Sequence, residues 1–217
     1  MEDSNVVSES YTIQSGLGAN KVEGVIVHGR YDIVHRRVKA HMMNRFLSLQ
    51  NKLDIVGIEA KNRIEAIMDR MRFTVEEFAT DNVVVDDGKK YLLDSINTTT
   101  TAVGPYLGLI TSGAPSTTTT MANAAGFEAA SSVIALRLLP TFSAASGSGT
   151  ITKAATAVTF TAAGAGATIT GCMLVCGAGA VNTPANTAGR LYSCGTFTSK
   201  TLAPTDTLQV TYSTTLA

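Results

Sequence analysis

The charges of this chain lie almost entirely in its first half. Residues 1–94 hold 28 of the 34 charged side chains, and residues 95–217 hold the other six: Glu128, Arg137, Lys153, Arg190, Lys200 and Asp206. So uneven a distribution calls for two kinds of structure. A charged segment can stand in water on a helical face. An uncharged one must turn half of its residues into a core and cover the other half with hydroxyl and methyl groups. The second part is rich in Thr, Ala, Gly and Ser, with threonine tracts at 98–101 and 117–120. A border near residues 80–95 follows from this shift in composition.

Before the border, the apolar residues take a helical spacing. Phe46, Leu49, Leu53, Val56, Ala60, Ile64, Ile67 and Met71 follow one another at steps of three or four residues, with charges on the other faces and no proline between them. That is the pattern of one helical stripe, close to a heptad with a four-residue insertion. Gly57 is its weak point, at about 1 kcal/mol against alanine. A helix of roughly 40 residues would be about 60 Å long, too long to bury its stripe alone. The expectation is a coiled-coil stalk over 31–80 with those eight residues as the oligomerisation seam, trimer favoured and dimer as the other choice. The alternative is one helix, or two helices broken near Gly57, folded back on its own domain. Residues 1–30 read as an N-terminal anchoring arm, irregular to about residue 22, with a short strand at 24–29.

After the border the pattern is one of strands. The segments 106–111, 132–139, 157–161, 168–176, 190–197 and 206–213 are the candidates, separated by Gly- and Pro-rich turns. Leu208, Val210 and Tyr212 alternate with Gln209, Thr211 and Ser213, which is the period of a half-buried strand. The fold class expected is therefore α+β in separate segments: an arm and long helix, then an all-β sandwich or jelly-roll-like domain over 90–217 that folds independently.

Chemistry is sparsely supplied. Net charge is zero and the pI about 6.8, which argues against a nucleic-acid binder working by bulk charge. Charged residues are 16% of the chain, well under the usual quarter or so. His28, His35 and His41 stand seven and six residues apart, not at the helical spacing of zinc ligands, and read as solvated or partner-facing. Past Asp94, Glu128 and Asp206 are the sole acidic side chains, there is no GxSxG, and Gly88-Lys89-Lys90 does not complete a phosphate loop. No catalytic, cofactor-binding or metal site is expected, and no cofactor. Cys172 and Cys176 on one strand would sit about 13 Å apart, beyond disulfide reach. With Cys194 they read as buried free thiols, a bridge from Cys194 to one of the others being the alternative left open. Met1-Glu2-Asp3-Ser4 lacks the basic start of a secretory signal. The uncharged stretch 154–189 is interrupted throughout by Thr, Asn, Gly and Pro, so no membrane span is expected.

The order of the segments in the second part carries a resemblance. Tyr91-Leu92-Leu93-Asp94 and Tyr106-Leu107-Gly108-Leu109-Ile110 come first, then Arg137-Leu138-Leu139-Pro140. Gly149-Thr150-Ile151-Thr152 leads to Val158-Thr159-Phe160, then to Ile169-Thr170-Gly171-Cys172-Met173-Leu174. Gly189-Arg190-Leu191-Tyr192-Ser193-Cys194 and Asp206-Thr207-Leu208-Gln209-Val210-Thr211-Tyr212 close the series. Over about residues 90–215 this resembles a family of tailed-bacteriophage virion structural proteins, the head decoration, head-fibre and tail-fibre-like group. A tryptophan customary before the Tyr106 segment is missing, and Thr205 stands where that family has glycine. The resemblance implies a non-enzymatic virion protein, made in the host cytoplasm. It would be a homo-oligomeric capsid decoration or head-fibre protein, with a tail fibre, receptor-binding protein or other tail-associated component as the alternative. The partner implied is the major capsid protein or another virion protein, with no nucleic acid and no membrane. The basic run Arg30, Arg36, Arg37, Lys39 and Arg45, opposed by acids between Glu76 and Asp87, offers the docking candidates on an acidic shell.

Overall fold

The computed structural model describes residues 27–53, 58–97, 103–148, 151–163 and 166–216. Among the described residues, eight strands and four short α-helices run in the order β1 (Val27–Val38), α1 (Met43–Gln50), α2 (Ile58–Arg70), β2 (Arg72–Val84), α3 (Asp86–Asn97), β3 (Tyr106–Ile110), α4 (Met121–Phe127), β4 (Ile151–Ala154), β5 (Val158–Thr161), β6 (Ala167–Cys176), β7 (Arg190–Leu202) and β8 (Thr207–Leu216). Strands take 43% of the described residues and helical turns of all kinds 24%, so the described structure is mainly β. The strands form one curled antiparallel sheet in the order β3-β6-β7-β2-β1-β8-β4, with β5 also paired to β8.

The expected long helix and coiled coil are overturned. The charged first half contributes β1 and β2, paired from Gly29↔Asn82 to Val38↔Arg72. Both are central strands, β1 beside β8 and β2 beside β7. The separate-segment arrangement falls with the coiled coil, because the sheet crosses the composition border. The reason is that residues 31–78 carry two periods. Tyr31, Ile33 and His35 alternate into the core, which is a strand signal. The helical steps hold only between them and β2. There the stripe is divided between α1 of 8 residues and α2 of 13. Phe46, Met68 and Met71 bury themselves against Val38, with Leu49, Leu53 and Ile64 packed around them. Helices this short meet each other at the tip of a hairpin, and the stripe finds its partner within the chain. Val56 and Gly57 lie outside the described residues, as does the arm to residue 26.

The second part is nearer to expectation. Strands appear at 106–110, 158–161, 167–176, 190–202 and 207–216. Residues 132–139 do not form one: Leu138 makes a single bridge to Leu107, and the segment runs on as a loop. Thr120 is not merely loop. It caps α4 reciprocally with Asn123, Thr120 N–H donating to Asn123 Oδ1 at 3.2 Å and Asn123 N–H to Thr120 Oγ1 at 3.4 Å.

The curl brings two halves of the sheet face to face. β1 and β8 supply Tyr31, Ile33, Leu208, Val210 and Tyr212, and β3 and β6 supply Leu107, Leu109, Cys172, Leu174 and Cys176, to one core. The intervening residues Met173 and Val175 point to the opposite face, where Ile110, Met121, Ala124 and Leu191 cover them. This is why the run Cys172–Cys176 is continuously apolar rather than alternating. β2 joins the halves, meeting β7 through Val83↔Cys194 and Val84↔Ser193. Gly29 has no room for a side chain, since a Cβ there would collide with the Asn82 side chain and with the Tyr212 hydroxyl.

Candidate functional site

The residues expected to mediate assembly gather at the hairpin tip, but most are used inside the chain. Of the seam, Phe46 and Met71 are buried, Leu49, Leu53 and Ile64 are half-buried in the same cluster, and Ala60 and Ile67 are exposed. The Arg72 guanidinium lies 4.7 Å from the centre of the Phe46 ring and closes the cluster from one side. Burial pushes the Arg72 pKa down, and the neighbouring Arg36 adds to this while Asp69 and Asp206 oppose it.

The basic docking candidates divide in the same way. Arg30 donates to Asp32 at 2.9 Å and Arg36 to Asp69 at 2.6 Å. Arg37 grips Asp206 with Nε and Nη2, at 3.0 and 2.9 Å to Oδ2. Lys39 and Arg45 enter no ion pair among the described residues. Of the five docking candidates, these two are left without an ion pair.

Sequence reasoning missed what surrounds Asp206. His35 is buried rather than solvated, and its Nε2 lies 3.0 Å from Asp206 Oδ2. The Ala203 N–H donates to the same oxygen at 3.0 Å. Burial pushes the Asp206 carboxyl up, but the hydrogen bonds from Arg37, His35 and Ala203 outweigh it and hold the group below its ordinary range. The pairing ties β1 to the β7–β8 turn, where Thr205 takes a φ of 71°. Alternation of Tyr31, Ile33 and His35 was the available signal for placing His35 inside.

Glu128 and Arg137, the other unexpected pair, are both buried and joined at 2.8 Å through both oxygens. Arg137 also donates to the carbonyls of Val181 at 3.0 Å and Asn186 at 2.8 Å, and Ala185 N–H donates to Glu128 Oε2 at 2.6 Å. The pair holds the 181–186 loop against the sheet. Each of the two carboxylates of the second half is thus occupied by a guanidinium and backbone groups.

His28 and His41 are exposed, and among the described residues no group of His, Cys, Asp or Glu is arranged to hold a metal ion. Cys172, Cys176 and Cys194 are free and buried. Burial raises all three thiols, Cys176 and Cys194 to about 12, which suppresses the reactive thiolate. No helix among the described residues is long and apolar enough to cross a membrane.

Apolar side chains also face solvent around the tip. Leu47, Ile58, Ile67, Phe73 and Val75 are exposed, Ile58 by 80%. They lie on α1, α2 and the start of β2. The two other large apolar side chains in the described residues that face solvent are Leu136 and Leu139. Comparison with protein-family models, with curated proteins and with solved structures finds no match.

Proposed function

We propose that this chain is a non-enzymatic structural protein of a bacteriophage virion, a capsid decoration or head-fibre protein that docks through its hairpin tip. The observation that carries the reading is the concentration of exposed apolar side chains at 47–75 beside the unpaired Lys39 and Arg45. Apolar groups left in water in one region, with charges at their border, suit a surface that is covered in an assembly. The body behind the tip suits a display role, since its strands expose threonines and its buried acids are engaged in ion pairs. The resemblance of residues 90–215 to virion structural proteins points the same way. Copies joined as a homo-oligomer, a trimer or a dimer, would present several weak anchors at once and gain avidity on the repeating surface of a shell.

Ile58→Asp in the full chain tests this. The side chain is 80% exposed, so the variant should melt with the wild type, yet fail to enter purified particles when supplied in place of it. Antibody label on wild-type particles should cover the capsid. Label confined to the tail would replace the head placement with a tail-fibre or receptor-binding role, and its absence from particles would remove the virion reading.

A further inference from the structure

A second opening lies away from the tip, at the end of the curled sheet. It is a cavity of about 310 Å³ lined by Tyr91, Phe142, Leu174, Tyr192 and Tyr212, with Lys153 and Thr214 on β4 and β8. Cavities of roughly 300 Å³ and upward are the size in which proteins hold small molecules. The register explains why it forms there. β4 pairs with β8 from Ile151↔Leu216 to Ala154↔Ser213, placing Lys153 opposite Thr214. β8 then continues into the core through Tyr212, so the wall changes from rim to floor within two residues.

The chemistry of the lining is graded. Four aromatic rings make the walls and floor, Phe142 meeting Tyr212 edge-on with centroids 6.3 Å apart and planes at 79°. Flat walls of this kind favour a planar aromatic guest by offset and edge contacts. The hydroxyls at the floor are spoken for: Thr214 Oγ1 donates to Tyr212 Oη at 3.0 Å, and Ser193 Oγ to the same oxygen at 3.5 Å. At the rim the Lys153 ammonium is exposed, sits 5.9 Å from the centre of the Phe142 ring, and has no ion pair among the described residues. Arg190, which lies close to Tyr91, is paired with Asp94 at 2.6 Å and with Asp87 at 3.7 Å. A guest therefore meets the uncompensated charge of Lys153 at the mouth and aromatic rings inside.

We propose that this cavity is a binding site for a planar aromatic carboxylate, its ring lying against Phe142, Tyr192 and Tyr212 and its carboxylate at the mouth on Lys153. The site is independent of the hairpin tip and of the docking role assigned to it. The ring supplies the buried area, and the ion pair orients the molecule and distinguishes it from a neutral analogue.

The test uses the full chain with 2-naphthoate as probe and neutral 2-naphthol as comparison, each followed by its own fluorescence, since the protein has no tryptophan. The expected result is saturable binding of 2-naphthoate, stronger than that of 2-naphthol. Lys153→Gln should weaken 2-naphthoate roughly fivefold, as for a partly exposed ion pair, and leave 2-naphthol unchanged. Ala145→Phe, at an exposed lining position, should abolish binding of both while the melting temperature holds. Equal binding of acid and alcohol, or a Lys153→Gln variant that binds as the wild type does, overturns the assignment. So does the absence of saturable binding, which would mean a cavity already filled from within the protein or closed in solution.

Discussion

Asp206 shows how one carboxylate in a nearly uncharged half of a chain becomes structural. It is 1% exposed, and an isolated charge there would be costly. Arg37, His35 and the Ala203 N–H surround it, and their hydrogen bonds keep its pKa below the ordinary value despite burial. A carboxyl whose folded pKa is depressed stabilises the fold above its unfolded pKa, about 3.9, and that stability disappears as the pH falls through the lower folded value. Asp206→Asn should therefore lower stability at neutral pH by about 2 kcal/mol or more, the range for hydrogen bonds to a charged group. The gap between variant and wild type should close as the pH is taken from about 4 downward, below the usual aspartate range. Urea melts of both proteins across that range are the measurement, and a gap that stays constant into acid would show that the carboxylate charge does not matter. Sequence alone marked Asp206 as isolated but could not supply its partners, because His35 and Arg37 are distant in the chain and join it through the β1–β8 register. The free cysteines were legible for the opposite reason. Two of them share one strand, and strand geometry alone keeps those two apart.

At the scale of elements, the hairpin tip is the instructive case. Its apolar steps of three and four residues are real, and the helices they predict exist, but as α1 and α2 rather than as one stalk. A helical stripe states that a face must be buried and leaves open against what. The decision came from the flanks, where β1 and β2 pair residue by residue and bring the two ends of the segment together. Once they are adjacent, Phe46, Met68 and Met71 can share a cluster with Val38. That cluster is small and set apart from the main cores, so it should fail locally. Phe46→Ala removes a fully buried ring, a change worth about 3–5 kcal/mol in a core. The expected outcome is loss of α1 and α2 with the sheet kept, seen as reduced helical dichroism and loss of amide protection over 40–71 while β6 and β7 stay protected. Global unfolding of the variant would mean that the tip is part of the folding unit. The strands of the second half were easier to read, since β8 and β5 alternate plainly and glycine-rich turns bound them. Residues 132–139 misled because their apolar side chains serve a loop pinned by Arg137, whose burial the pattern does not reveal.

For the whole molecule, the composition border and the structural border differ, and the difference can be measured. Charge falls away near residue 94, which suggests that the second half is a domain of its own. The sheet disagrees: β1 and β2 stand between β7 and β8, and β1 pairs with β8 over ten positions, from Val27↔Leu216 to Arg36↔Thr207. Charge marks which faces meet water and says nothing about which strands are neighbours, so a charged strand with an alternating inner face passed for part of a solvated stalk. A fragment of residues 90–217 would lose Tyr31, Ile33, Val84 and His35 from its interior. β8 would be left without its longest partner, and Asp206 would lose both of its side-chain donors. It would expose a long unpaired apolar edge, a form prone to pairing with other copies. The expected outcome is a product that aggregates or lacks a cooperative melt. Co-expression with a second fragment covering residues 1–89 should restore a soluble, β-rich complex, because the two pieces carry complementary strands. Sedimentation and circular dichroism of the two preparations decide the matter. A fragment of 90–217 that is monomeric and melts cooperatively on its own would show that the second half closes its core without β1 and β2, and would return the border to where the charges place it.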